Sequence, residues 1–213
     1  MDDCNVDILR HQDIELRSVP APLAQLGTVF RPRDLAAVGM TPDQLPSLVR
    51  QGVVERVGRG LYRVVDELPT ENYTLAMACA RVSDGIVCLL TALRVHGLGT
   101  QAPSAVWMAI PQRSRTPRVR DLRIRFVRFS GPATTYGVID TAFEGVPARI
   151  TSPARTIVDC FRLARHVGPE PGVEALRDAL ARRVVTMDEL ARVESVLPSR
   201  KLRAHLEVAA IGA

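Results

Sequence analysis

Closely spaced metal ligands are absent from this sequence. Its four cysteines form no Cys-x-x-Cys pair, and its four histidines are scattered along the chain. Zinc sites usually show such spacings in the sequence. Cys79, Cys88 and Cys160 lie inside apolar stretches, where a free thiol behaves as a small hydrophobic side chain. We therefore expect no metal site and no cofactor, and the cysteines fit a reducing compartment.

Long apolar runs are also lacking. The most apolar stretch, Ile86 to Val95, is interrupted by Arg94 and is too short to cross a bilayer. Residues 1–19 are polar and acidic, whereas a secretory signal has basic residues followed by an apolar core. We interpret residues 1–19 as an N-terminal extension without an assigned function, expect no membrane partner and predict a cytoplasmic location.

Familiar catalytic motifs are missing as well. The sequence has no P-loop, no Gly-x-Ser-x-Gly, no His-Glu-x-x-His and no glycine-rich dinucleotide turn. Asp140 and Glu144 fall near a predicted strand, as carboxylates do in some nucleases, but no acid-x-Lys element follows them. A binding protein, not an enzyme, is therefore predicted. A degenerate or unrecognised nuclease is an alternative that metal-dependent DNA cleavage would reveal.

Lysine is almost absent, because Lys201 is the only one among 28 lysines and arginines. The formal net charge is +5 and the isoelectric point is about 9.5. These values permit a nucleic-acid partner without requiring one. The arginine bias has two interpretations, a coding bias or bidentate phosphate binding, and composition alone favours the first.

The stretch from Phe30 to Val64 has the pattern of a winged helix-turn-helix. A short helix is predicted from Arg33 to Val38 and ends at Gly39. Thr41, Pro42 and Gln44 then form a capping box that begins a second helix, which ends at Gly52. Strands at 53–57 and 61–65 follow, joined by a turn at 58–60. With a first helix at 20–26, residues 20–68 are the predicted DNA-binding domain.

Several side chains at helix entries, on the second helix and on the wing are candidates for DNA contact. They are Arg31, Arg33, Thr41, Gln44, Ser47, Arg50, Arg56 and Arg59. Gln44 and Ser47 are expected to face base edges, and Arg59, at the tip of the wing, is expected to touch the backbone. Asp43 and Pro46 argue against this function and against a regular helix, respectively. Winged helices also serve as protein-binding modules, and that alternative stays open.

Residues 69–213 predict a mixed α/β domain, a small sheet with packed helices, so that the whole chain is of the α+β class. The predicted elements are helices at 71–82 and 91–96, strands at 105–110 and 122–129, a hairpin at 138–151 around Glu144-Gly145, a helix beginning at Pro153, and helices at 173–183, 187–197 and 201–210. The alternation in the second strand slips at Val127-Arg128, which predicts a β-bulge there.

Arginine is densest between Gln112 and Phe129. Arg113, Arg115, Arg118 and Arg120 precede a strand, and two prolines hold the first part of this segment extended. A solvated basic loop is one interpretation, and a second phosphate-binding surface is the other. Two basic features in one chain favour the second. On the helix after Ser152, periodicity places Arg155, Asp159 and Arg162 on an outer, charged face, which is a candidate recognition surface.

Three segments resemble the AbiEi family of bacterial antitoxins. They are GRGLYRV, the block from YTLAMACARV to PQRSRTP, and SPARTIVDCFRLAR. The resemblance runs from about residue 20 to residue 185. It implies an N-terminal winged helix that binds the protein's own promoter, and a C-terminal antitoxin domain that counteracts a nucleotidyltransferase-fold toxin encoded beside it.

By position, Arg59 and Tyr62 match the family's wing motif, and Arg155, Thr156 and Asp159 match its RTxxD block. The expected partners are therefore double-stranded DNA and, directly or indirectly, the toxin. The alternative is a stand-alone winged-helix regulator whose C-terminal domain senses a ligand or forms dimers. A nucleotidyltransferase gene beside this one would distinguish the two.

Overall fold

A computed structural model of the chain describes residues 20–26, 29–58, 60–65 and 72–211, with side chains through residue 206. The predicted extension, residues 1–19, and the wing-tip Arg59 lie outside the described residues. The chain divides into two compact units, Met1–Leu68 and Pro69–Ala213. Each unit is built around its own hydrophobic core.

The first unit has the element order of a winged helix-turn-helix. Its elements are 3₁₀ helices at Leu23–Gln25, Pro32–Val38 and Pro42–Gln44, helix α1 at Leu45–Arg50, and strands β1 (Val29–Phe30), β2 (Val54–Gly58) and β3 (Leu61–Val64). The strands form an antiparallel sheet in the order β1-β3-β2, so β2 and β3 are the wing.

The helix after the turn begins as the sequence predicts. The Thr41 backbone N–H donates to Gln44 Oε1 at 2.9 Å, and Gly39 ends the preceding helix with a positive φ of 71°. The first turn, Pro42–Gln44, is a 3₁₀ helix, and α1 continues from Leu45. Pro46 therefore lies in the first turn of the α-helix, where a missing N–H costs little. The conflict expected at Pro46 does not arise.

The core of the first unit is small and is shared by all of its elements except the 3₁₀ turn at Pro42–Gln44. It contains Leu23, Phe30, Leu35, Leu45, Leu48, Val53, Val54 and Val64. Phe30 also stacks on Tyr62, with ring centroids 6.1 Å apart. The helix-turn-helix and the wing are therefore held by one apolar cluster, which fixes the second helix relative to the wing.

The second unit is a five-stranded mixed sheet with helices. Its strands are β4 (Ile86–Val87), β5 (Val106–Pro111), β6 (Ile124–Phe129), β7 (Val138–Phe143) and β8 (Val146–Thr151); its helices are α2 (Tyr73–Arg81), α3 (Leu89–Val95), α4 (Pro153–Arg162), α5 (Ala164–Val167), α6 (Glu170–Ala181), α7 (Met187–Val196) and α8 (Arg200–Ile211), and a 3₁₀ helix spans Gly131–Thr134.

The sheet order is β6-β5-β4-β8-β7. The pairs β5–β6 and β4–β8 are parallel, and β4–β5 and β7–β8 are antiparallel. Helix α2 packs against β5, β7 and β8, and α4 packs against α3, α6, α7 and α8. The predicted α+β class and the mixed sheet with packed helices are confirmed.

One local prediction in the sheet is wrong. Strand β6 pairs with β5 in unbroken register from Ile124 to Phe129, so the bulge predicted at Val127-Arg128 is absent. Val127 and Phe129 point into the main core, while Ile124 and Phe126, on the opposite face, are only half-buried. The apparent slip in alternation arises because both faces of this edge strand are partly covered.

Helix α4 is the centre of the second unit. Every residue from Ala154 to Phe161 is buried, including two charged ones. Among the described residues, Arg155 has the largest fully buried side chain. Ser152 caps the helix by accepting the Arg155 backbone N–H at 3.4 Å, as the Ser-Pro start predicts.

The Arg155 guanidinium holds the segment before β7 onto this helix. Its Nη2 donates to the Ala133 carbonyl at 3.0 Å, and its Nη1 donates to the Tyr136 carbonyl. Its Cζ lies 4.9 Å from the centre of the Phe129 ring. Gly137 has a positive φ, and a Cβ added there would lie 2.9 Å from the Arg155 Cβ. The chain can approach Arg155 this closely only with glycine at that position.

Asp159 supplies the opposite charge. Its Oδ2 accepts from Arg155 Nε at 2.7 Å, and its Oδ1 accepts from Arg162 Nη1 at 2.7 Å. Burial raises the pKa of the Asp159 carboxyl, and the two arginines oppose that rise. Burial likewise lowers the pKa of Arg155. Each buried charge is therefore acceptable only beside the other.

The predicted exposed charged face on this helix is wrong for Arg155 and Asp159. The i,i+4 and i,i+3 ion pairs form as predicted, but the side chains of Arg155 and Asp159 are 0% exposed and that of Arg162 is 25% exposed. Because neighbouring helices surround α4, it has no broad solvent-facing side. The RTxxD block is therefore part of the core.

We predict that Arg155→Ala destabilises the second unit by about 3–5 kcal/mol, because it removes the fully buried partner of Asp159 and also leaves the Ala133 and Tyr136 carbonyls without their donor. Arg162→Ala removes a partner that is 25% exposed and leaves the Arg155–Asp159 pair in place, so it should cost roughly 1 kcal/mol or less. Trp107, the only tryptophan, is buried in the second unit, so its fluorescence in a urea titration follows this unit. An Arg155→Ala midpoint equal to that of Arg162→Ala would contradict the structural role.

Candidate nucleic-acid interface

Helix α1 and the wing form the two sides of a surface groove. The groove has a volume of about 490 Å³ and is lined by Leu45, Pro46, Val49, Arg50, Arg56 and Tyr62. Arg50 ends α1 and Arg56 lies on β2 directly opposite Tyr62, and both arginines are exposed. Arg56 Nε donates to the Gly58 carbonyl at 3.2 Å. Two predicted phosphate contacts are thus brought to one place.

The polar candidates on the second helix remain able to donate hydrogen bonds. Thr41 and Gln44 are exposed, and Ser47 is half-buried. Gln44 uses its Oε1 as the acceptor of the cap, so its Nε2 stays available as a donor. Ser47 Oγ accepts from Gln51 Nε2 at 3.2 Å and keeps its own O–H. Such amide and hydroxyl groups suit base edges in a major groove.

The two arginines at the entry to the helix-turn-helix differ from each other. The side chain of Arg33 is 71% exposed and lies 3.7 Å from Asp34. Arg31 is half-buried, and its backbone N–H donates to Asp34 Oδ2 at 2.7 Å. Asp34 therefore offsets part of the positive charge at this entry, whereas Arg50 and Arg56 are the only charged residues among the described ones that line their groove.

The basic segment of the second unit is the connection between β5 and β6. Arg113, Arg115, Arg118 and Arg120 are all exposed. The one acidic residue of the connection, Asp121, makes a bidentate ion pair with Arg81 of α2, with contacts of 3.0 and 2.8 Å. These four arginines therefore keep their positive charge toward solvent.

Other kinds of site find little support in the described part of the chain. No group of three or more His, Cys, Asp or Glu side chains there is arranged to hold a metal ion. The thiols of Cys79, Cys88 and Cys160 are buried, and burial raises the pKa of Cys79 to about 12. No helix among the described residues is long and apolar enough to cross a membrane.

Of the three residues predicted as an antitoxin surface, only Arg162 reaches solvent. Exposed apolar side chains, which periodicity did not single out, lie elsewhere in the second unit. They are Val95, Tyr136, Ile139, Val184, Met187 and Val196. Tyr136 and Val184 line a groove of about 350 Å³ beside the start of α4. Neither set identifies a toxin-binding surface by itself.

Comparison with known families matches both units. Residues 18–65 match a family model described as "Transcriptional regulator, AbiEi antitoxin". Residues 85–207 match a second model, "AbiEi antitoxin C-terminal domain". The order of these matches agrees with the resemblance seen in the sequence, and the second match continues beyond residue 185, where that resemblance ended.

Among solved structures, the chain is similar to the crystal structure of the RV2827C protein from Mycobacterium tuberculosis. The two share 16% identity, the match covers 84% of this chain and 73% of that one, and the TM-score is 0.51. At this identity the likeness concerns the fold alone. The search of curated proteins found no match.

The C-terminal model by itself spans more than half of the chain, and the N-terminal model covers the helix-turn-helix and the wing. The protein therefore belongs to the AbiEi family of antitoxins, which are transcriptional regulators of toxin–antitoxin systems.

Proposed function

We propose that this protein binds double-stranded DNA at its own promoter through the winged unit and represses its operon. In this proposal the second helix enters the major groove, where Thr41, Gln44 and Ser47 meet base edges. Arg31, Arg33, Arg50 and Arg56 contact phosphates, and Arg59 at the wing tip does the same. The observation that carries the proposal is the groove between α1 and the wing, with Arg50 and Arg56 exposed in its lining.

The second part of the proposal is that the C-terminal unit counteracts a nucleotidyltransferase-fold toxin encoded beside the gene, directly or through another molecule. The match of residues 85–207 to the antitoxin C-terminal domain supports it. The buried Arg155–Asp159 pair then acts by keeping this unit folded. This is a binding and regulatory role, and no catalytic step is assigned to the protein.

A ligand-sensing regulator is the second candidate. The second unit contains a cavity of about 590 Å³, lined by residues of α2, α3 and the segments leading into β5 and β6. Such a volume is in the range of small-molecule sites. If no toxin gene is found, or if the chain never protects cells from the toxin, this alternative is favoured.

We expect Arg50→Ala/Arg56→Ala to weaken binding to the promoter duplex and to lower the slope of log K against log salt by about 0.9 for each phosphate that the variant no longer binds. A fluorescence anisotropy titration at several salt concentrations measures both quantities. Arg177→Ala/Arg192→Ala removes two exposed arginines from α6 and α7 and is the matched control. Equal affinities for the two double variants would exclude the groove from the interface.

Asp43 gives a test of opposite sign. It is exposed at the start of the second helix, so its charge should repel phosphates. Asp43→Asn should raise affinity for all duplexes by roughly 1.4-fold to fivefold, the size of a surface charge interaction of about 0.2–1 kcal/mol. Asp188→Asn, in the first turn of α7, is the control. No gain for Asp43→Asn would mean that this helix end lies away from DNA.

Antitoxicity is expected to be separable from DNA binding. When the adjacent toxin is expressed from an unrelated promoter, this protein cannot repress its transcription. The Arg50→Ala/Arg56→Ala chain should then still restore growth, because rescue no longer depends on DNA binding. Immunoblotting verifies equal protein levels, and an empty vector gives the baseline. Loss of rescue at an unchanged protein level would show that antitoxicity depends on the groove.

A further inference from the structure

The connection between β5 and β6 is an unusually long stretch of chain without regular secondary structure. Parallel neighbouring strands are normally joined by a crossover that contains a helix. Here residues 112–123 make the connection with no helix or strand of their own. Without a helix or strand of its own, such a segment keeps one conformation only if other parts of the fold hold it.

Arg128 of β6 holds the first half of the connection. Its Nη1 faces the carbonyl oxygens of Pro111 and Gln112 at 3.2 Å each and also donates to the Ser114 carbonyl, while its Nη2 donates to Thr116 Oγ1 at 2.8 Å. The Ser114 backbone N–H donates to the Pro111 carbonyl at 3.0 Å, which closes a turn. One guanidinium thus fixes residues 111–116.

Arg81 holds the second half. Its two terminal nitrogens bind the two carboxylate oxygens of Asp121, at 3.0 and 2.8 Å. A bidentate arginine–carboxylate pair fixes orientation as well as distance. The connection is therefore held near both ends, by Arg128 on β6 and by Arg81 on α2. The four arginines between these two anchors project from a segment of defined shape.

The segment exposes positive charge but no large apolar side chain. The large apolar side chains exposed in the described residues include none from 112–123. Protein partners usually bind through a buried aromatic or aliphatic centre, which is lacking here. Guanidinium groups are well suited to phosphate oxygens, which they bind bidentately. Charge without an apolar centre favours a phosphate backbone over an acidic protein.

We propose that residues 112–123, held by Arg128 and Arg81, form a second, preorganised surface for the phosphate backbone of duplex DNA. Arg113, Arg115, Arg118 and Arg120 make the contacts, and Arg128 is a positioning residue that does not itself touch DNA. This inference rests on the proposed DNA-binding function, to which it adds a second site. Preorganisation matters because a segment that is already ordered loses less conformational entropy on binding.

The test uses the full-length chain and a promoter duplex over a series of salt concentrations. Replacing Arg113, Arg115, Arg118 and Arg120 by Gln should weaken binding strongly at low salt and lower the salt slope by about 0.9 for each phosphate that is no longer bound. Arg128→Lys keeps the charge but cannot reach four acceptors. Arg128→Lys should reduce affinity about threefold to tenfold. This is the entropic cost of ordering one or two side chains of the released segment when DNA binds.

Two further measurements distinguish a positioning role of Arg128 from a general loss of stability in the second unit. Limited trypsin digestion should cut Arg128→Lys faster after Arg113 and Arg115, while its Trp107 fluorescence melt stays close to that of the wild type. Arg125→Lys is the matched control. Arg125 lies on the same strand over the Trp107 ring, with Cζ 5.3 Å from the ring centre, so the change should leave both affinity and digestion unaltered.

Each other outcome contradicts a distinct part of the proposal. The variant with Gln at positions 113, 115, 118 and 120 is called the four-Gln chain. If it binds like the wild type while Arg50→Ala/Arg56→Ala does not, the second surface is wrong and the proposed function stands. If neither set of changes affects binding, DNA binding through these residues fails as a whole. If the four-Gln chain is weakened but Arg128→Lys is not, the positioning role is wrong. If the four-Gln chain loses only its binding to polyglutamate, the surface serves an acidic protein instead.

Discussion

The buried ion pair between Arg155 and Asp159 is the constraint on which the second unit depends. A charged guanidinium in a core is acceptable only when nearly all of its donors are satisfied. Here the donors meet one carboxylate and two backbone carbonyls, and those carbonyls belong to the segment that leads into β7. Arg155 therefore ties the segment that leads into the β7–β8 hairpin to α4, beside the Ser152 N–H bond to the Gly137 carbonyl at 2.8 Å.

The same use of arginine recurs through the second unit and explains part of the composition. Arg128 binds carbonyls of the β5–β6 connection, Arg149 donates to the Asp84 carbonyl at 2.6 Å, and Arg182 donates to the Gly97 carbonyl at 2.6 Å. The three donors of a lysine ammonium share one nitrogen, so lysine could not span acceptors as far apart as those that Arg128 binds through two nitrogens. Arginine thus has two roles in this chain. Some arginines hold the backbone, and others, including those at 113–120, face solvent with their charge.

Local signals were enough to predict most helix starts and turns. The capping box at Thr41 and the turn at Glu144-Gly145 depend on residues close in sequence, and both form. Side-chain exposure was harder to predict. Val49 lies four residues after the buried Leu45 on the same helix, yet it is 38% exposed and lines the groove between α1 and the wing.

The candidate sites were less predictable than the elements, because burial is a property of tertiary packing. Periodicity assigns charged residues to a solvent side by default, and only the packing of several helices around α4 shows that Arg155 and Asp159 have no such side. The groove that brings Arg50 and Arg56 together likewise depends on how one shared core sets the wing against α1. Sequence identified these residues, but it could not give the distances and burial that separate binding residues from structural ones.

Hydrogen exchange of the full-length chain with and without promoter duplex tests the central claim most directly. The claim is that the winged unit and the β5–β6 connection contact DNA, while the RTxxD block has a structural role. We predict slower exchange with DNA in residues 41–58 and 111–123, and no change in residues 153–162, whose amides should exchange slowly in both states. Protection of 153–162 on DNA binding, or none in 41–58, would contradict this account.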